Sequence, residues 1–96
     1  MRNILIIGAG KSTAQLIKYL ADKAPSENLQ LSIADRDLAQ AQALAGNYDC
    51  ANAITLDIYN VEDRKEQITK ADIVISMLPA RLHIEVARDC LELNKN

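Results

Sequence analysis

The chain has 96 residues, of which 49% are hydrophobic, and its formal net charge is −2. This length suits one domain, because a second hydrophobic core would need more buried surface than remains. The longest apolar run, residues 4–7, is far shorter than the roughly 20 residues of a membrane span and too short for a signal peptide. Lys and Arg are scattered and aromatic residues are few, which argues against nucleic-acid binding. We therefore expect one cytoplasmic domain that binds neither nucleic acid nor membranes.

Short apolar runs alternate four times with segments of helical periodicity. The pattern predicts strands over residues 3–7, 29–34, 53–56 and 73–78 and helices over 12–24, 37–45, 61–70 and 82–93. Pro25 is expected to end the first helix, a polar loop follows at 26–28, and Pro79 is expected to end the fourth strand. Gly46 is suited to stop the second helix and Asn60 to cap the third.

This order of strands and helices predicts a parallel sheet with right-handed crossovers. The fold class is α/β: a partial doubly wound, Rossmann-type sheet with four strands in the order 3-2-1-4 and helices on both faces. The full pattern has six strands, so the fourth strand would form an apolar edge with no strand beside it. Either another chain covers that edge, or residues 1–96 are the N-terminal portion of a longer protein. We favour the longer protein.

A Gly-x-Gly turn at Gly8 and Gly10 lies between the first strand and the first helix. Gly8 allows a tight turn, and Gly10 lacks a Cβ, so a pyrophosphate fits against the backbone and the free N–H groups of the helix. The third small position of this fingerprint holds Thr13, which implies a slightly wider approach of helix to strand. The hydroxyls of Ser12 and Thr13 are placed to cap the helix or to bond a phosphate, and Lys11 is expected to lie exposed near the phosphates. Together these residues predict a dinucleotide-binding turn.

The Gly-Lys-Ser sequence at residues 10–12 is also part of the P-loop pattern. That pattern needs a second glycine five residues earlier, where this chain has Leu5 in the middle of the first strand. The phosphate-binding loop would be too short, and an ATPase is excluded on this ground.

Asp35 lies at the end of the second strand, where the fold brings a carboxylate beside the adenosine ribose. A carboxylate accepts hydrogen bonds from the ribose hydroxyls and repels a 2′-phosphate, so Asp35 favours NAD. Arg36 follows immediately and is able to pair with such a phosphate, so NADP stays open. Asp35 could instead cap the second helix, although Asp37 is better placed to do so.

Two further segments end at the same edge of the sheet. Asp57 ends the third strand and is equally suited to an adenine-side contact and to a simple turn. At the end of the fourth strand, the backbone over residues 76–80 is expected to line the cofactor, with Leu78 and Pro79 in the cofactor-binding set.

The one histidine and the two cysteines do not form a pattern that predicts a metal site. His83 is the only histidine, and its position in the first turn of a helix is more typical of a surface or packing residue than of a general base. Cys50 and Cys90 lie far apart without a CxxC pair, which predicts buried free thiols. The catalytic residues are unknown from the sequence.

Three segments together resemble saccharopine dehydrogenase-like oxidoreductases: residues 4–12, residues 34–36, and residues 72–80 with His83 and Cys90 downstream. The resemblance covers essentially the whole chain and implies an N-terminal NAD(P)-binding domain. In the complete enzyme it implies hydride transfer at the C–N bond of an amino acid. It also implies a larger C-terminal portion that completes the sheet, binds the amino-acid substrate and often forms a homodimer. We expect that portion to lie beyond this chain.

An alternative function is a nucleotide-sensing regulatory module, such as those attached to potassium channels, which binds a nucleotide without catalysis. Such modules share the glycine turn, the acidic residue after the second strand and the compact core. The Leu-Pro-Ala ending of the fourth strand at residues 78–80 argues against this alternative.

Overall fold

The computed structural model describes residues 2–8, 11–46, 48–78 and 80–93. In these ranges four strands alternate with four helices: β1 (Arg2–Ile7), α1 (Lys11–Glu27), β2 (Leu29–Asp35), α2 (Leu38–Ala45), β3 (Ala51–Thr55), α3 (Val61–Lys70), β4 (Ile73–Ser76) and α4 (Ala80–Glu92). All strands pair in parallel, in the order β3-β2-β1-β4. The predicted α/β fold and the strand order 3-2-1-4 are confirmed.

The central strand β1 contributes alternate side chains to two hydrophobic cores, one on each face of the sheet. The core under α1 and α2 contains Ile4, Ile6, Ile17, Leu31, Ile33, Ala41 and Ala45. The core under α3 and α4 contains Leu5, Ile7, Ala34, Leu56, Ile68, Ala71 and Val86. A strand buried on both faces reads as a continuous apolar run, and β1 has that pattern because helices cover both of its faces.

The first helix is longer than predicted, and Pro25 does not end it. Pro25 lies inside α1, which continues to Glu27, so the predicted polar loop at 26–28 is largely helical. Proline lacks one N–H and crowds the preceding turn, which disfavours a helix at this point without excluding it, and only two helical residues follow Pro25. The helix ends at Asn28, whose φ of 55° is left-handed, a conformation that asparagine adopts more readily than most residues.

The third and fourth strands also differ from the predicted bounds. β3 begins at Ala51, two residues early, because Ala51 pairs with Leu31 and carries the ladder with β2 to Thr55. β4 ends at Ser76 rather than at residue 78. The strand is short because β1 itself ends at Ile7, and the last pair of residues between the two strands is Ile7 with Ser76. Within the described residues β4 is paired on one side only, with β1, as the predicted edge requires.

The remaining helix ends follow the predicted capping residues. Asp37 caps α2 by accepting from Ala39 N at 3.0 Å, and Gly46 ends that helix with a φ of 51°. Asn60 caps α3, since its side chain accepts from Asp63 N at 3.2 Å. Within the described ranges, no helix has the length and apolar character needed to cross a membrane.

The cap at Asn60 leads to a prediction about stability. Asn60→Ala removes the side-chain acceptor for Asp63 N and should lower the free energy of unfolding by about 1 kcal/mol. Urea denaturation followed by circular dichroism measures this change. Asn60→Ser keeps a capping oxygen and serves as the control. Equal stability of the alanine and wild-type chains would contradict the assigned cap.

Candidate functional site

A cleft of about 260 Å³ opens at the carboxyl ends of β1, β2 and β3. It is lined by Ile7, Gly8, Ala34, Asp35, Arg36, Leu56, Asp57, Ile58, Tyr59 and Leu78. In open parallel sheets ligands bind at this edge, where the strand order reverses. The cleft therefore brings together several of the residues that the sequence predicted from separate segments.

Gly8 forms the turn at the end of β1, and two observations show why glycine is needed there. Its φ is +103°, which side chains rarely adopt, and an added Cβ would lie 3.2 Å from the carbonyl carbon and oxygen of Met77. The Gly8 N–H donates to Ala34 O at 2.9 Å, so the turn is joined to the end of β2. The chain after β4 thus packs directly on the turn.

Thr13 supports this turn from inside the protein. Its side chain is fully buried, and its hydroxyl donates to Gly8 O at 2.9 Å. The sequence predicted a helix cap or a phosphate ligand for this hydroxyl, and the structure shows a hydrogen bond from it to the glycine turn. The threonine at the third fingerprint position therefore adds a polar tether between α1 and the end of β1.

Asp35 and Arg36 lie side by side in the cleft, at the end of β2. Asp35 is half-buried, and its Oδ1 accepts from Asp37 N at 2.8 Å. Arg36 is exposed. Asp37, rather than Asp35, makes the capping bond to Ala39 N, as the sequence favoured. The carboxylate of Asp35 is thus held by the backbone before α2, and the next residue in the cleft, Arg36, is exposed.

Asp57 shapes the far wall of the cleft, which the segment after β3 forms. Its Oδ1 accepts from Tyr59 N at 3.0 Å and its carbonyl accepts from Asn60 N at 2.9 Å, so the turn role is shown while the side chain also lines the cleft. Ile58 and Tyr59 complete this wall, and neither was predicted from the sequence. An apolar and an aromatic residue directly after a predicted strand were the available signal.

The remaining predicted site residues divide into two groups. Leu78 lines the cleft, and its Cδ2 would lie 3.5 Å from a Cβ on Gly8. Gly10 and Pro79 lie outside the described residues, as do the side chains of Lys11 and Ser12, although the backbone at residue 11 begins α1. The first turn of α1 therefore follows the glycine turn directly, as the phosphate-binding prediction requires.

The cysteines carry no sign of a redox or metal site. Cys50 and Cys90 are both free and half-buried rather than fully buried. Burial raises the pKa of the Cys90 thiol, and the nearby charge of Asp89 raises it further. Cys90 is therefore protonated at neutral pH, the unreactive form of a thiol. Among the described residues, no cluster of three or more His, Cys, Asp or Glu side chains is arranged to hold a metal. The side chain of His83 lies outside the described set.

A larger cavity, of about 470 Å³, lies at the amino-terminal half of the sheet against the end of α3. Amide and hydroxyl side chains from three strands line much of it: Asn3, Gln30, Ser32 and Asn52. It is remote from the glycine turn, and parallel sheets bind ligands at the opposite edge. The smaller cleft is therefore the candidate site.

The glycine turn at the start of a helix, the carboxylate after β2 and the cleft between them define a Rossmann-type dinucleotide-binding domain. Comparison with known families agrees over nearly the whole chain. The chain belongs to the family described as "Saccharopine dehydrogenase NADP binding domain", which it matches over residues 4–96. It is thus a nicotinamide-dinucleotide-binding domain of the saccharopine dehydrogenase type.

Individual relatives and structures are similar over the same length. Saccharopine dehydrogenase [NADP(+), L-glutamate-forming] of Saccharomyces cerevisiae is 30% identical over 90 residues, which is 94% of this chain and 19% of that protein. The mitochondrial alpha-aminoadipic semialdehyde synthase of Rattus norvegicus is 27% identical over 96 residues, or 99% of this chain and 10% of that protein. The structure of apo saccharopine dehydrogenase (L-Glu forming) from S. cerevisiae superposes with a TM-score of 0.88 at 28% identity, covering 99% of this chain and 20% of that one.

The chain therefore spans between a tenth and a fifth of the length of these curated relatives. The residues that match are the dinucleotide-binding part. The predicted fold, family and cofactor class are confirmed by this agreement.

Proposed function

We propose that this domain binds NADP(H), with the adenosine half in the cleft at the carboxyl ends of β1, β2 and β3. One observation carries the proposal: the glycine turn at Gly8 and the Asp35–Arg36 pair face a single cleft. The pyrophosphate would lie against the turn and the first turn of α1, where free backbone N–H groups and the helix dipole favour negative charge. Ile58 and Tyr59 would form the adenine side of the cleft.

The choice of NADP(H) over NAD(H) depends on Arg36. A 2′-phosphate carries close to two negative charges, and Arg36 is exposed at the end of β2, where the ribose would lie. The family description names NADP, which supports the same choice. Asp35 supports the second candidate, NAD(H), because its carboxylate suits ribose hydroxyls and repels a phosphate. Asp35 already accepts from Asp37 N, so its charge is partly compensated by the start of α2.

Titration of the chain with NADPH and NADH by isothermal calorimetry tests this proposal. We expect tighter binding of NADPH, and Arg36→Ala should weaken NADPH about tenfold or more, since a charge-assisted hydrogen bond contributes about 1.5–3 kcal/mol. The same variant should leave NADH almost unchanged. Asp35→Ala should weaken NADH and spare NADPH.

Arg88→Ala is the matched control for the loss of one positive charge. Arg88 is an exposed arginine on α4 that pairs with Glu85, at 3.7 Å, and does not line the cleft. Arg88→Ala should change neither the affinity for NADPH nor the affinity for NADH. Tighter binding of NADH than NADPH, with no response to Arg36→Ala, would establish NAD(H) instead. If neither nucleotide binds, the assignment of the cleft is wrong.

We further propose that the complete protein transfers a hydride between the nicotinamide and the C–N bond of an amino-acid substrate. The name of the S. cerevisiae relative, an NADP(+)-dependent, L-glutamate-forming saccharopine dehydrogenase, supports this reaction. In the complete protein, the amino-acid site and any homodimer contact would lie outside this dinucleotide-binding domain. A cytoplasmic location stays a prediction from the sequence.

A further inference from the structure

Arg64 is a buried charged residue between α3 and α4, behind the cleft. It is 5% exposed, and its partner on α4, Asp89, is 2% exposed. The guanidinium Nε donates to Asp89 Oδ2, and Nη2 donates to Asp89 Oδ1 at 3.4 Å. Glu85 adds a second carboxylate, 3.9 Å from Nη2. Two charged groups in a core need such pairing, because burial of either alone is costly.

The same guanidinium also holds the wall of the cleft. Its third donor, Nη1, donates to the carbonyl oxygen of Ile58 at 2.8 Å. Ile58 lines the cleft together with Tyr59. Arg64 therefore connects the helix pair α3–α4 to the backbone of the surface that faces the adenosine half of the cofactor.

The other hydrogen bonds of this segment lie within its turn and at its two ends. Leu56 N donates to Asp35 O at 3.0 Å, and Tyr59 N and Asn60 N both donate to Asp57. Asn60 in turn accepts from the first turn of α3, from Asp63 N at 3.2 Å and from Arg64 N at 2.9 Å. These bonds shape the turn and join its end to the start of α3, but none of them connects the turn to α4. Arg64 supplies that link to the middle of the segment.

We propose that Arg64 is a positioning residue for dinucleotide binding: held by Asp89, it fixes the Ile58–Tyr59 wall against which the adenosine half binds. This inference rests on the proposed function. Arginine suits the role because its planar fork reaches a carboxylate and a carbonyl at once, which the single ammonium of lysine does not.

The test replaces the whole buried pair, so that no charge is left alone. In the double variant Arg64→Met/Asp89→Leu, apolar side chains of similar size take the place of the ion pair, an exchange that proteins often tolerate. The donor to Ile58 O is lost. We expect NADPH and adenosine 2′,5′-bisphosphate to bind about tenfold more weakly, a change of about 1.4 kcal/mol, in a chain whose circular dichroism spectrum matches wild type. An equal loss for both probes would place the effect at the adenosine half.

An exposed ion pair between the same two helices provides a matched control. Lys65 and Glu92 form an ion pair of 3.0 Å between α3 and α4, and neither residue lines the cleft. The variant Lys65→Gln/Glu92→Gln should bind both probes as wild type does. A loss of affinity in this control equal to that of the double variant would mean that helix pairing in general, and not the bond to Ile58, controls the cleft.

Arg64→Lys is the second test variant, because it keeps the charge beside Asp89 and decides the question if the double variant does not fold. It should weaken both probes by several-fold. Wild-type affinity for both probes in the folded variants would overturn the proposal. A wild-type chain that binds neither probe would instead refute the proposed function, so the two failures are distinguishable.

Discussion

Gly8→Ala should lower the affinity for NADPH by about 10- to 100-fold and also destabilise the fold. The alanine would need a φ near +103°, and its Cβ would lie 3.2 Å from two backbone atoms of Met77. Such backbone strain costs about 1–3 kcal/mol. The turn relieves part of that strain by moving away from its native position. Cofactor binding must then move the turn back. The free energy needed to move the turn back weakens binding, by about tenfold for each 1.4 kcal/mol.

Calorimetric titration with NADPH and thermal unfolding together measure this prediction. Gly46→Ala is the matched control, because Gly46 also has a positive φ, of 51°, but ends α2 outside the cleft, and an added Cβ there meets nothing closer than 3.7 Å. We expect the control to lose stability while keeping wild-type affinity. A folded Gly8→Ala chain with unchanged affinity would show that the turn does not contact the cofactor.

The fold was predictable because its pattern is local and repeats. β1 and β4 are apolar runs, the helices have periodic apolar positions, and parallel strands joined by helices allow few topologies. The capping residues were predictable for the same reason, since Asp37 and Asn60 act on N–H groups two or three residues away. These features depend on interactions within a few residues along the chain.

The element ends that were missed depend on distant partners. The bounds of β3 follow from its register with β2, where Leu31 pairs with Ala51, and no local signal in the sequence carries that register. Pro25 was given its average effect on a helix, but α1 continues for two residues beyond it. The φ of Asn28, not the proline, marks the true end of that helix.

The candidate site divides in the same way. The positions of Gly8 and Asp35 at the cleft were predictable because both follow from where the first two strands end. The hydrogen bond from the Thr13 hydroxyl to Gly8 O was not predicted, because it depends on how α1 packs against the end of β1. Arg64 was not singled out from the sequence, in which Lys and Arg are scattered. Its partner Asp89 is 25 residues away, and only the packing of α3 on α4 brings the two together.

The single variant Asp89→Leu should be the most destabilising of the substitutions discussed. It leaves the Arg64 guanidinium in the core with the Ile58 carbonyl as acceptor and only the more distant Glu85 carboxylate. Breaking a buried pair by removing one partner costs about 3–5 kcal/mol, a large part of the roughly 5–15 kcal/mol that a small domain has in total. The midpoint of thermal unfolding should therefore fall by more than about 10 °C.

The double variant Arg64→Met/Asp89→Leu gives this prediction its internal control. Because it removes both charges, it should regain most of the stability that Asp89→Leu loses, although its own affinity for the cofactor stays reduced. Lys65→Gln provides the comparison with an exposed pair, which should cost no more than about 1 kcal/mol. Equal destabilisation by Asp89→Leu and by the double variant would mean that packing volume, not the unpaired charge, sets the cost. Recovery of stability without recovery of affinity would separate the two roles of Arg64, its ion pair with Asp89 and its hydrogen bond to the Ile58 carbonyl. The ion pair would then serve only to keep an arginine in the core, where it reaches that carbonyl.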